Sequence, residues 1–139
     1  MADEADFDFG DNVDKPTFEQ ILDMDEEDDR DFSKSIVFGF LEQAEQTFGK
    51  MDTAMKEKNL AELSSLGHFL KGSSATLGFT KVKDECEKIQ HYGHKKNATG
   101  EEDEPDEKKC LEMIGKSITE AKKAYAVVNE LMKQFYAES

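Results

Sequence analysis

Cysteine is scarce in this chain. Cys86 and Cys110 are the only two, too far apart to form a Cys-x-x-Cys pair. That argues against a disulfide scaffold and a zinc ribbon, and favours a reducing compartment. No apolar run approaches the ~18 residues that suggest a bilayer-spanning helix. The acidic start, MADEADFDFG, resembles neither a signal peptide nor a transit peptide. A soluble, intracellular protein without a membrane partner is expected. Positive charge is also in deficit. Thirty-two Asp and Glu face eighteen Lys and Arg, for a net charge of −14. Such a surface disfavours nucleic acid, whose phosphate backbone requires a basic partner. With 139 residues, the chain suffices for one domain with a real core.

The charge is unevenly distributed. Residues 1–31 carry fourteen acids and two basic residues, residues 32–100 eight acids and ten lysines, and residues 101–139 ten acids and six lysines. The net charges are therefore −12, +2 and −4. Residues 1–13 are acidic and aperiodic and read as a disordered N-terminus, leaving 14–139 as the folded domain. Pro16 suits the first turn of a short helix over about 16–24, with Phe18, Ile21 and Leu22 as its apolar residues. The run DEEDD at 25–29 reads as a turn, with Asp29 or Asp31 capping the next helix. The wider acidic run Asp23–Asp31 lacks the central glycine and spacing of a calcium loop.

From Phe32 the helical period is plain: Ile36, Val37, Phe40, Leu41, Ala44, Phe48, Met51 and Met55. Asn59 is placed to cap a third helix over 60–77, which Gly78 ends. Thr80 is placed to cap a fourth helix reaching about His94, with Val82, Cys86, Ile89 and Tyr92 inward. A polar loop follows over 95–104. Pro105 fits the first turn of a last helix carrying Leu111, Ile114, Ile118, Ala121, Tyr125, Val128, Met132 and Phe135. No strand pattern is present. The predicted fold is all-α: an antiparallel four-helix bundle with an additional short N-terminal helix.

One stretch, HFLKGSSATLG at 68–78, is unusual for a packed helix. At ~100° per residue, with Leu60 at zero, Leu63, Leu66, Leu70 and Leu77 fall between ~240° and ~300°. His68 falls at ~80°, nearly opposite, with Ser64, Ser65, Lys71, Gly72 and Ala75 around it. The imidazole should therefore stand in solvent on a face of small side chains. Gly72 costs ~1 kcal/mol relative to alanine in mid-helix. Close approach of another surface explains it. A neighbouring helix of the same bundle is the other explanation, and the outward angle of Gly72 opposes that. Lys71 is within reach of a group bonded to the imidazole, and an ammonium suits phosphate oxygens. Gln90, on the fourth helix, is placed to approach His68 from the side and fix the ring's orientation.

The segments SLGHFLKGSSATLGF and CEKIQ closely resemble the histidine-containing phosphotransfer proteins, and most of all the yeast-type phosphorelay intermediates. The similarity extends to MDEEDDRDFSKSI and to much of residues 16–94. It implies that His68 carries the phosphoryl group, that Lys71 counters its charge, that Gly72 permits docking, and that Gln90 orients the histidine. Ile21, Met24, Phe32, Ile36 and Phe69 match positions of the partner-docking surface. The implied function is a relay. His68 takes the group from the aspartate of a receiver domain, such as that of a hybrid sensor histidine kinase. It then passes the group to the aspartate of a response regulator. Mg²⁺ is expected in the receiver, with no cofactor or metal in this chain. The absence of a GxGxxG or Walker pattern agrees with a phosphocarrier that has no kinase activity of its own. A monomer in cytoplasm and nucleus is the corresponding expectation.

Two alternatives stand beside this reading. Glu87, His91 and His94 lie at helical spacings near Cys86, which suggests a metal site, although the paired Glu-x-x-His motifs of carboxylate-bridged bundles are missing. Solvated histidines are the simpler account of these residues. The other alternative is a helical adaptor that binds a partner without chemistry.

Overall fold

The computed structural model describes residues 8–26 and 29–137. A single 3-10 turn, Gly10–Asn12, precedes five helices: α1 (Lys15–Leu22), α2 (Asp31–Glu57), α3 (Leu60–Leu77), α4 (Thr80–Gly93) and α5 (Glu107–Ala137). The described residues form no strand, only two isolated bridges. Helices α2 to α5 run up and down. Each packs on the next and α5 closes back onto α2, while α1 packs on α3. This is the expected antiparallel four-helix bundle with one additional short helix.

The helix boundaries follow from local chemistry. Lys58 takes a left-handed conformation with φ 55° and ends α2, and the Asn59 side chain then accepts the Glu62 amide to start α3. Gly78, with φ 81°, ends α3. It also allows α1 to approach: its carbonyl accepts the Asp14 amide at 2.6 Å, and a Cβ there would lie 2.8 Å from the Asp14 carbonyl oxygen. The leucine stripe of α3 is inside, with Leu63, Leu66, Leu70 and Leu77 all buried. Phe18, Phe79 and Phe135 are fully enclosed, and each contributes about 1.5–3 kcal/mol through burial. Phe18 lies in ring contact with both Phe79 and Phe135, joining α1 to the start of α4 and the end of α5.

Four local expectations need correction. A disordered N-terminus over residues 1–13 does not describe residues 8–13, while residues 1–7 lie outside the described residues. Phe9 and Val13 are buried, and the Phe9 ring packs on Phe18 and Phe135, because the apolar residues among the acids find a place on the bundle. Pro105 precedes α5, whose first turn is capped by Asp106: its Oδ1 accepts the amides of Lys108 and Lys109. Thr80 is already helical, and its hydroxyl donates to the Asp11 carbonyl. At the start of α2, Asp29 Oδ1 does accept the Asp31 amide, but Asp25 reaches further, accepting the Ser33 amide at 2.7 Å and its hydroxyl at 2.5 Å. Residues 27 and 28 of the acidic turn lie outside the described residues.

Ser33 is fully buried and also accepts the Tyr136 hydroxyl at 2.8 Å, so the turn, α2 and α5 share one network. Burial pushes the phenols of Tyr136 and Tyr125 up to about 12. In the unfolded chain they ionise near 10. Between these values the unfolded chain releases protons that the folded chain keeps. The stabilisation is therefore complete below pH ~10 and is lost as pH rises toward ~12. Thermal melts should show a midpoint that declines across this window and a shallower decline in Tyr136→Phe. A midpoint independent of pH there would contradict the assignment.

Candidate functional site

His68 is exposed midway along α3. Among the described residues no hydrogen bond or ion pair reaches its ring. The α4 side of the ring is tightly built. Gly67, one residue earlier, lies so close to α4 that a Cβ would fall 2.8 Å from the Cys86 carbonyl oxygen and 3.0 Å from the Gln90 amide nitrogen. Ser64 is buried and donates its hydroxyl to the Gln90 carbonyl at 3.0 Å. Ser64 therefore belongs to the seam between α3 and α4, and the expected ring of small exposed residues shrinks to Ser65, Gly72 and Ala75.

Gln90 lies on α4 beside α3, as its position in the pattern predicted. Its side-chain Oε1 is buried and has no hydrogen-bond partner, and it makes no bond to the imidazole in this structure. Lys71 also faces α4, with its Nζ 3.8 Å from Glu87 Oε1. Sequence reading missed this ion pair, because it considered Glu87 only as a metal ligand. Across an antiparallel helix pair, the register that sets Gly67 against Cys86 and Gln90 brings residues 71 and 87 together.

Gly72 faces outward, and a Cβ built there meets nothing within 4 Å. No helix of the bundle needs its space, so the intramolecular explanation for this glycine is removed. The described residues expose four large hydrophobic side chains: Met24, Phe32, Phe69 and Val127. Three of them are among the residues assigned to docking. Phe69 adjoins His68, and the Asp25–Ser33 hydrogen bonds hold the chain after Met24 against the start of α2 beside Phe32. Ile36 is half-buried and lines a groove between α2 and α3 together with Gly39, Ser73 and Thr76. Ile21 differs from its expected place: it is 7% exposed. With Phe18 and Leu22 it forms the inward face of α1 at spacings of three and four, so it supports the surface from beneath.

The alternative metal constellation is not assembled. His91 Nδ1 is 2.8 Å from the Ala98 carbonyl oxygen, and its ring fills the space beside Gly100, where a Cβ would lie 3.0 Å from Nε2. His91 is therefore a loop anchor rather than a solvated side chain, whereas His94 is exposed. No group of three or more His, Cys, Asp or Glu with metal-holding geometry occurs among the described residues. No described helix is long and apolar enough to cross a membrane.

Comparison with known proteins gives this arrangement a context. The model of the Hpt domain family matches residues 36–132. Multistep phosphorelay regulator 1 of Schizosaccharomyces pombe is 42% identical over 127 residues, covering 91% of this chain and 43% of that protein. Phosphorelay intermediate protein YPD1 of Candida albicans is 56% identical over 85 residues, covering 61% of this chain and 46% of that protein. The chain thus spans less than half the length of these curated relatives. Among solved structures, the fold matches a co-crystal of the Saccharomyces cerevisiae histidine phosphotransfer signaling protein Ypd1 with the receiver domain of its downstream response regulator Ssk1. That match has a TM-score of 0.79 at 31% identity and covers 91% of this chain and 95% of the other.

Proposed function

Since the chain belongs to the Hpt domain family, we propose that it is a phosphorelay intermediate in which His68 is the phosphoryl carrier. The observation that carries this reading is the exposed imidazole, without a hydrogen bond or ion pair among the described residues, on a helix that also exposes the open backbone at Gly72 and the ring of Phe69. A neutral imidazole nitrogen is nucleophilic. In the forward step its lone pair forms the N–P bond while the acyl O–P bond of a receiver aspartyl phosphate breaks, and the electron pair leaves on the carboxylate. In the second step a carboxylate oxygen of another receiver attacks phosphorus and the imidazole leaves. In-line transfer of this kind depends on position and on charge stabilisation. Lys71 supplies a cation from this chain, and Gln90, whose Oε1 is unengaged, orients the ring. The receiver supplies its own Mg²⁺ and the remaining groups.

The donor in this reading is the receiver domain of a hybrid sensor histidine kinase, and the acceptors are response-regulator receivers. Both dock on Met24, Phe32, Ile36 and Phe69 around His68. The chain is a monomeric phosphocarrier without kinase activity of its own, acting in cytoplasm and nucleus. The test is incubation with a phosphorylated receiver domain. Acid-labile label should appear on His68, and label elsewhere, or none, would refute the assignment.

Docking also predicts the behaviour of Gly72. A glutamine there extends into open space, so Gly72→Gln should keep the helical circular-dichroism signal and leave the thermal midpoint unchanged or slightly raised. Transfer should slow by about tenfold or more, since misplacement by an ångström at the reacting atoms costs on that order. Unchanged transfer would show that no partner surface approaches this point.

A further inference from the structure

Among the described residues, the only charged group paired with Lys71 is Glu87, and nothing in the relay chemistry above uses it. The pair spans the α3–α4 seam at 3.8 Å, longer than the 2.7–2.9 Å of a tight charge-assisted hydrogen bond. Both side chains are partly exposed, at 32% for Lys71 and 41% for Glu87. Partly exposed pairs of this kind are weak and exchange partners readily. The same lysine is the nearest cation in sequence to the carrier histidine, lying three residues along the same helix face.

We infer that Glu87 is a positioning residue that competes with the phosphoryl group for Lys71 and so limits how firmly the phosphorylated histidine is held. This inference rests on His68 being the carrier. In the resting protein the carboxylate holds the ammonium on the α4 side, leaving the imidazole open to an incoming receiver. A phosphoryl group on His68 brings roughly two negative charges and three acceptor oxygens, and it draws the ammonium away from Glu87. Each return of Lys71 to Glu87 leaves the N–P group less stabilised and readier to leave. The carboxylate thereby biases the site toward passing the group on rather than storing it. Glu87 contacts neither the reacting atoms nor the ring and acts only through the lysine.

The experiment uses the full chain, labelled from a phosphorylated receiver domain and then separated from it. The decay of label is followed for the wild type, Glu87→Gln, Glu87→Asp, Lys71→Ala and the Lys71→Ala/Glu87→Gln pair. Glu87→Gln should slow decay by about threefold at low salt, and the gain should shrink toward one as salt screens the pair. Glu87→Asp should resemble the wild type. In the Lys71→Ala background, Glu87→Gln should change nothing. Equal decay in the wild type and Glu87→Gln would overturn the inference. So would a gain that persists without Lys71, since it would come from direct repulsion of the phosphoryl group. If the wild type takes up no label on His68, the relay itself fails, a result distinct from both.

Discussion

Replacing His68 by glutamine should abolish phosphoryl transfer. The expected loss is at least about a thousandfold, because the nucleophile itself is removed. The side chain is exposed and makes no hydrogen bond among the described residues, so its removal leaves no buried group unsatisfied. Surface changes of this type stay within about 0.5 kcal/mol. The thermal midpoint should therefore hold within about 2 °C. Receiver binding should persist, because Phe69, Phe32 and Met24 remain exposed. Acid-labile labelling, thermal melting and a receiver titration separate these effects. Transfer retained in His68→Gln would remove the carrier role and leave only an adaptor.

The largest effect on stability is expected five residues from Gly72, at Gly67, which lies on a different face of the same helix. Gly67→Val should destabilise the bundle by about 3 kcal/mol, at the upper end of overpacking costs. That corresponds to a fall of roughly 10 °C in thermal midpoint for a chain of this size. The cause is local and specific. Even a Cβ would lie 2.8 Å from the Cys86 carbonyl oxygen and 3.1 Å from Ile89 Cγ2. Both belong to a helix held in place by the fully buried Val82, Cys86 and Ile89, so α4 has to move as a unit. Gln90, whose backbone lies against Gly67, should be displaced as well, and transfer in the surviving folded protein should slow. Gly72→Ala should act in the opposite sense, with a gain of about 0.5–1 kcal/mol from reduced backbone entropy and no clash. A Gly67→Val protein as stable as the wild type would mean that α3 and α4 do not approach each other as described.

These two glycines mark where sequence reading succeeded and where it stopped. The angular position of Gly72, opposite the leucines, was enough to place it outward, and the structure leaves its surroundings open. Gly67 sits on the leucine side of the same wheel, and a small residue there was a signal of close packing that went unused. Ser64 was assigned to the solvent face because its angle is near that of His68, but it is buried against the Gln90 carbonyl. The wheel gives a direction from one helix axis and contains no neighbouring helix. Similarly, Phe18, Ile21 and Leu22 were recognised as the apolar residues of α1, yet Ile21 was carried to the docking surface because it matched a docking position. The inward face of an eight-residue helix is set by what it lies on.

What the amino-acid sequence settled without help was periodic and local. Apolar residues at steps of three and four gave four long helices, Asn59 and Gly78 marked helix ends, and the leucine stripe of α3 put His68 in water. Such properties depend on residues within a turn or two of one another. Only the tertiary structure decided which side chains meet across the bundle: Lys71 with Glu87, Asp25 with Ser33 and Tyr136, His91 with its own loop, and Phe9 with Phe18 and Phe135. Those meetings follow from the relative register and spacing of packed helices. Many side chains set these together, and no single stretch of sequence carries them.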